Sequence, residues 1–204
     1  MTRHIKDVLV CAGARNGINP EFMKAAARMG EALGKSGYDV VYGGSNIGMM
    51  GACAAHALIN GSKVTGYLAS AFAAAGKELD GCTNLETLAT LFLRKEAMVL
   101  ASQAGIILPG GIGTLDELME MAADNDIARY IDGNVIVKPI VVVNIDGYFD
   151  GMKLQWDRAV AEGFMNPEQL RMIHFVDSIE AAMAILDQQS LNPITGVTLS
   201  PPRA

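Results

Sequence analysis

The chain has little cysteine, no basic tract and no apolar run long enough to cross a bilayer, and each shortage excludes a class of protein. Cys11, Cys53 and Cys82 are odd in number, widely spaced and free of any Cys-x-x-Cys or Cys/His metal spacing. That pattern predicts reduced thiols in a cytoplasmic protein and gives no indication of a metal site, zinc included. A net charge of -6 with no Lys/Arg-rich run argues against nucleic acid or an anionic membrane as partner, while leaving room for a local basic pocket. No uninterrupted apolar window approaches membrane-spanning length. Arg3 and Lys6 before Val8 to Ala14 imitate a secretory leader, but the run is short and Asp7 interrupts it, so a buried first strand is the better reading. Two phosphate signatures are missing as well. No Gly-Lys-Ser/Thr sequence ends a glycine loop, which excludes a P-loop nucleotidase. After Gly111 and Gly113, Asp116 stands where a dinucleotide fingerprint needs a third small residue, which disfavours a nicotinamide enzyme. His4, His56 and His174 fit structural or exposed roles, and no Ser-His-Asp order nominates a nucleophile.

What the chain does have is 204 residues, 50% of them hydrophobic and 19% charged, the composition of one soluble globular domain. No repeat or linker divides it. We expect a single nucleotide-binding catalytic domain over residues 1–190 and a Pro/Thr/Ser-containing tail over 191–204. The twelve methionines fall in helical stripes and suit core packing.

Short Val/Ile/Leu runs alternate with helical patterns. Strands are expected at Val8 to Cys11, Tyr38 to Tyr42, Lys63 to Leu68, Gly105 to Leu108, Pro139 to Ile145 and Ile173 to Val176. Asn19-Pro20-Glu21 opens a helix that stops near Gly37, and a second helix runs to Gly61. Ala69 to Asn84 reads as a loop, and Leu85 to Ser102 as a helix with apolar residues at 88, 91, 92 and 98. The next helix carries Leu115, Leu118, Met119 and Ala122 as a core stripe, with Glu117 away from it. Asp126 to Lys138 is ambiguous. Later helices span Phe149 to Glu162, a short piece from Pro167, and a last one capped by Asp177 with Glu180. Alternation of this kind with uniformly apolar strands predicts an α/β, Rossmann-like three-layer fold, a mostly parallel sheet with helices on both faces. Ligands then sit at the carboxyl edge of the sheet, where the turns after the first, second and fourth expected strands all emerge.

Leu108 to Glu117, reading Leu-Pro-Gly-Gly-Ile-Gly-Thr-Leu-Asp-Glu, is the stretch that carries chemistry. A strand, a glycine turn and a helix start let backbone approach an anion, and the free N–H groups and dipole of the helix favour negative charge. Thr114 and Glu117 also fit a capping box, and spacing alone favours that reading. A capping box needs no Pro-Gly-Gly before it, and that extra feature points to a monophosphate or similar small anion. Arg94 and Lys95, taken alone, fit a solvated helix face.

Pro109-Gly110-Gly111-Ile112-Gly113-Thr114-Leu115-Asp116-Glu117 resembles the PGGxGTxxE signature of the Lonely Guy (LOG) family, the cytokinin riboside 5′-monophosphate phosphoribohydrolases formerly labelled possible lysine decarboxylases. Tyr42-Gly43-Gly44 with Gly48-Met49-Met50-Gly51, the pair Arg94-Lys95, Asn144 to Phe149 and Ala159 to Phe164 resemble further family motifs in the same order. The resemblance covers Val8 to Leu186. It implies a homodimer with sites near the subunit interface, the helix around Leu88 to Met98 serving as interface as well as core. It also implies cleavage of the N-glycosidic bond of a nucleoside 5′-monophosphate, AMP or an N6-substituted AMP, without a cofactor. In that reading Glu117 stabilises the oxocarbenium-like transition state and orients water, and Arg94 offsets charge on the departing base or sugar. Gly110, Gly111, Gly113 and Thr114 hold the phosphate, Gly43 and Gly44 shape the floor, and Gly13 and Lys95 complete the nucleotide-binding set. A non-catalytic carrier, like the molybdenum-cofactor carriers that resemble this family, is the alternative; a pyridoxal-phosphate decarboxylase lacks support, since nothing around Lys95 suggests a Schiff-base pocket. The chain departs from the family at Ala14-Arg15, where two serines are common, at Ser45, at Leu68-Ala69, at Leu91-Phe92-Leu93 and in the longer stretch from Met121 to Pro139. These changes surround the expected base and ribose pocket and leave base preference open.

Overall fold

The computed structural model describes residues 3–73 and 78–196. These form a seven-stranded, wholly parallel sheet: β1 (Asp7–Cys11), β2 (Asp39–Tyr42), β3 (Val64–Ala69), β4 (Asn84–Leu88), β5 (Ala104–Ile107), β6 (Ile140–Val143) and β7 (Ile173–Val176), in the order β4-β3-β2-β1-β5-β6-β7. Strand order reverses between β1 and β5, which pair Val8 with Ala104 through Cys11 with Ile107. A crevice opens at that reversal because the connections leave β1 and β5 toward opposite sides.

Side chains alternate across the sheet and feed two separate cores. Val8 and Val10 of β1 and Ile106 of β5 face the helices α1 (Pro20–Lys35), α2 (Gly48–Ile59) and, near the C-terminus, Ile179–Leu191. Leu9, Cys11 and Ile107 face the other way, onto α4 (Leu91–Leu100) and α5 (Ile112–Ile131), with Trp156 of α6 (Asp150–Ala161) farther along that layer. The short helix between β3 and β4 is α3 (Ser70–Ala73), α7 is Pro167–Leu170, and the last helix is α8. This is the expected three-layer α/β arrangement, and both faces of the central strands are buried, which is why they read as unbroken apolar runs.

Several local expectations are corrected. Leu85 to Leu88 is not helical: Asn84–Leu88 adds to the free edge of β3, Thr65 pairing with Asn84 and Ala69 with Leu88. Pairing satisfies backbone groups that β3 would otherwise leave open, and Thr90, extended at φ -134 and ψ 160, starts α4 one residue later by accepting from the Leu93 N–H. The inner face of α5 is more polar than the expected stripe. Leu118 is buried with Thr114, Glu117, Met121 and Asn125, whereas Met119 is 42% exposed. Asn125 meets both backbone groups of Lys138, donating to its carbonyl at 2.7 Å and accepting from its N–H at 3.1 Å, so this helix continues through the ambiguous stretch to Ile131. Helix α8 is capped by Ser178, which accepts from the Ala181 N–H, rather than by Asp177. Past α8 the chain docks: Val137 donates to the Ile194 carbonyl at 2.9 Å and Gly196 to that of Val135 at 3.0 Å. Residues 197–204 of the expected tail, and 74–77 of the expected loop, lie outside the described residues.

Helices α1 and α2 pack closely because Gly30 offers no side chain where they cross; a Cβ there would stand 2.1 Å from the Cys53 carbonyl oxygen. Helix propensity alone favours Gly30→Ala by about 1 kcal/mol. Overpacking against a backbone atom costs up to about 3 kcal/mol and wins. Gly30→Ala is expected to lower stability by about 2 kcal/mol in urea unfolding, with the m-value unchanged.

Candidate active site

A cleft of about 710 Å³ opens at the carboxyl ends of β1, β2 and β5. Its walls are the three turns that the sequence placed on one edge: Gly13 to Arg15 after β1, Gly43 and Ser45 after β2, and Pro109 to Thr114 after β5. The turns are in direct contact. Gly13 donates its N–H to the Pro109 carbonyl at 3.0 Å, and Met50 of α2 donates to the Gly13 carbonyl at 3.2 Å.

The Pro109–Thr114 turn has a geometry that decides between the two readings of Thr114. Helix α5 begins at Ile112 with Gly111 as N-cap, and no side chain caps it. Thr114 is thus inside the first turn, and the capping-box expectation for Thr114 and Glu117 does not hold. First-turn N–H groups, which have no intrahelical partner, remain available to an anion in the cleft. Gly110 is required by contact: a Cβ there would lie 2.1 Å from the Thr114 hydroxyl oxygen.

Glu117 stands one turn farther along and points into the protein at only 9% exposure. Its Oε1 accepts from Nη1 of Arg94 at 3.1 Å. Arg94 is fixed on two further sides. Its Nε donates to the Tyr67 carbonyl on β3 at 2.9 Å, and its Nη2 lies where a Cβ of Gly43 would be, 2.1 Å away. Helix α4, strand β3, the turn after β2 and helix α5 thereby converge on one ion pair. Burial pushes the Glu117 carboxyl above the ordinary glutamate range; the Arg94 guanidinium and then a hydrogen bond from the Cys11 thiol pull it down without cancelling that effect. Cys11 is itself buried, and loss of solvation together with the neighbouring Glu117 charge raises its thiol well above the usual range. It is an uncharged hydrogen-bond donor, not a nucleophile.

Not every expected residue meets the cleft. Gly13, Gly43, Gly110, Gly111, Gly113, Thr114, Arg94 and Glu117 all line it. Gly44 does not; at φ +79 it turns the backbone against Tyr67 and Leu68. Lys95, one residue past Arg94, rotates about 100° around the helix and binds Asp116 at 2.9 Å and Glu120 at 2.6 Å. It ties α4 to α5 beside the Arg94–Glu117 pair instead of facing the cleft, and hydrogen bonds to the two carboxylates raise its pKa.

Of the positions expected around the base and ribose pocket, Leu68 and Leu91 do line the cleft, while Phe72 and Tyr148 had no assigned role in the sequence. Leu68, Phe72 and Leu91 form an apolar wall. Tyr148 donates its hydroxyl to the Gly110 carbonyl at 2.6 Å and meets Phe22 edge-on at 5.5 Å. Its position comes from Asp146, held at φ +50 and accepting from the Asn19 side chain at 2.6 Å. The Asn-x-x-Gly-Tyr spacing is the one signal that marked this segment.

Residues 50–186 match the protein family described as possible lysine decarboxylase. The chain is 33% identical over 168 residues to a probable cytokinin riboside 5′-monophosphate phosphoribohydrolase of Oryza sativa, a match covering 81% of this chain and 65% of that protein, just under two thirds of its length. It is 32% identical over 170 residues to the Arabidopsis thaliana phosphoribohydrolase LOG7, covering 82% and 75% of the two chains. Against the cytokinin riboside 5′-monophosphate phosphoribohydrolase of Rhodococcoides fascians it is 31% identical over 182 residues, covering 89% of each. Among solved structures, the molybdenum cofactor binding protein of Rippkaea orientalis superposes with a TM-score of 0.67 at 19% identity, over 91% of this chain and 98% of that one, a likeness of fold.

The contact between Gly43 and Arg94 gives a prediction. The obstructing atom is the end of a flexible side chain, so Gly43→Ala is expected to fold normally while displacing the guanidinium from Glu117. With that lowering influence weakened, the Glu117 carboxyl is expected to titrate higher than in the parent protein, measurable by carbon-13 NMR titration of the side-chain carboxyl.

Proposed function

The chain belongs to the possible lysine decarboxylase family, whose LOG members are its phosphoribohydrolase relatives, and from that membership we propose that it hydrolyses the N-glycosidic bond of nucleoside 5′-monophosphates. Free base and ribose 5-phosphate are the products. The observation that carries this reading is the buried Arg94–Glu117 pair beside an uncapped helix N-terminus, in one cleft of nucleotide size. In the proposed mechanism, first-turn N–H groups of α5 and the Thr114 hydroxyl hold the phosphate, with Gly13, Gly110, Gly111 and Gly113 admitting it closely. Glu117 stabilises positive charge at the anomeric carbon and takes a proton from the attacking water. One water is consumed as the C–N bond breaks; its oxygen bonds the anomeric carbon and a proton ends on the departing base. Arg94 keeps Glu117 ionised and oriented and balances charge developing on the sugar and base.

AMP and N6-substituted AMP of the cytokinin type are the proposed substrates. The apolar wall of Leu68, Phe72 and Leu91 supports a purine with an alkyl substituent. The active unit is residues 1–190, with 191–204 as a C-terminal segment whose Ile194 and Gly196 dock on Val137 and Val135, and no cofactor required. Buried, unpaired Cys11 and Cys53 support a reducing, cytoplasmic setting, and among the described residues no helix is long and apolar enough to cross a membrane.

We also propose a homodimer. Phe92 is 66% exposed and Leu100 73% on α4, and Tyr130 is 75% exposed and Ile131 79% on α5. Large apolar side chains at this density on adjoining helices support a self-complementary interface. Phe92→Glu is expected to shift the protein from dimer to monomer in sedimentation velocity.

Incubation with a panel of nucleoside monophosphates, following free base and ribose 5-phosphate, tests the activity. Glu117→Gln is expected to cut turnover by about 10²- to 10⁴-fold. Because Glu117 works ionised and its carboxyl is raised, the acid limb of kcat/KM is expected above the ordinary glutamate value of about 4.3, activity falling as pH drops through it. Tight nucleotide binding without turnover would replace this reading by a carrier.

A further inference from the structure

Among the described residues the cleft is lined by three charged side chains, Arg15, Arg94 and Glu117. Two of them cancel, since Arg94 and Glu117 are paired at 3.1 Å. A 5′-phosphate carries close to two negative charges near pH 7, its second pKa being about 6. It therefore enters a cleft that would be neutral without Arg15, on a protein of net charge -6. The N-terminus of α5 offers only about half a positive charge. Arg15 remains, and its exposed guanidinium has no hydrogen-bond or ion-pair partner among the described residues.

Its backbone is placed for the task. A Cβ at Gly13 would meet the Arg15 carbonyl oxygen at 3.2 Å and the Gly110 Cα at 3.3 Å, so Arg15 leaves the chain directly beside the phosphate turn. On its other flank the Arg15 amide nitrogen lies 2.5 Å from where a Cβ of Gly48 would be, which wedges the residue between the start of α2 and the Pro109–Thr114 turn. Arg15 lines the cleft, and an arginine side chain is long enough to reach a phosphate at that turn. Its planar fork suits two oxygens of one phosphate, whereas a hydroxyl or backbone N–H supplies one donor and no formal charge.

We propose that Arg15 is a specificity-determining residue that closes over the phosphate of the substrate and selects the dianionic 5′-monophosphate over the uncharged nucleoside. The proposal rests on the reading of the cleft as a monophosphate site. Arg15 touches the phosphate and not the bond that breaks, so its contribution is equal in ground and transition states and falls on KM. Loss of one charge-assisted phosphate contact corresponds to about a ten- to hundredfold weakening.

The test uses the full chain with Arg15→Ala and Arg15→Lys, with kinetics on a nucleoside 5′-monophosphate and its parent nucleoside and calorimetry with ribose 5-phosphate. Arg15→Ala is expected to raise both KM for the monophosphate and Kd for ribose 5-phosphate about ten- to hundredfold. Preference for monophosphate over nucleoside shrinks by the same factor, the salt dependence of KM flattens, and Arg15→Lys recovers part of the loss. A KM and Kd within twofold of the parent in Arg15→Ala, with monophosphate turnover intact, overturns this inference and leaves the hydrolase reading standing. Arg15-dependent binding of ribose 5-phosphate without turnover of any monophosphate does the reverse. A parent protein that neither turns over monophosphates nor binds ribose 5-phosphate removes both.

Discussion

Glu117 is buried and Arg94 largely so, their side chains 11% and 13% exposed, and each is costly there as an isolated charge. Their 3.1 Å contact, with the Tyr67 carbonyl taking the guanidinium from the other side, reduces that cost and sets conditions on everything around it. Only glycine at residue 43 leaves the guanidinium in that position, because it occupies the space of a side chain. Helix α4 has to hold its register against α5, which Lys95 enforces by binding Asp116 and Glu120 one position away. A buried pair of this kind is weak evidence for stability, since apolar residues would fill the same space at lower cost. Its retention on the wall of a cleft is better explained by chemistry, and the raised Glu117 carboxyl fits a group whose environment serves a reaction more than the fold.

The cleft separates its tasks by element. In the proposed reading, backbone and Thr114 at the start of α5 form the anion cradle; the Arg94–Glu117 pair puts opposite charges close together, and Leu68, Phe72 and Leu91 offer an apolar surface. A nucleoside monophosphate has three matching parts in phosphate, sugar and base. Tyr148, bonded to the Gly110 carbonyl, joins the segment after β6 to the cradle and limits how far the turn can open. The fold shared with the Rippkaea orientalis cofactor-binding protein shows that the scaffold is common, so function is argued from these side chains.

Local signals in the chain were legible where one element sets its own conditions. Asn19-Pro20 began α1 as expected, with Asn19 accepting from the Glu21 N–H, and the apolar runs of β1, β2, β5 and β6 were recognisable because both faces of the sheet are covered. Reading failed where a distant partner decides. Leu85 to Leu88 was expected to open a helix and is instead part of a strand, because β3 had an edge to fill. Thr114 and Glu117 carry capping-box spacing and do not cap, because the helix starts three residues earlier than that box requires and Glu117 is claimed by an arginine 23 positions away in sequence. Lys95 carried the family motif but was drawn to Asp116 and Glu120.

The sequence by itself determined the α/β class, the carboxyl edge at which the cleft opens and the glycine-rich turn that lines it, since periodicity, glycine and helix-start chemistry act over a few residues. Tertiary structure alone decided that Glu117 meets Arg94, that Lys95 does not face the cleft, and that Arg15 and Gly110 flank Gly13 on the wall of one cleft. Those facts depend on which strands become neighbours. Pairing of β1 with β5 brings together turns that are about a hundred residues apart in the chain, and no local pattern records such a contact.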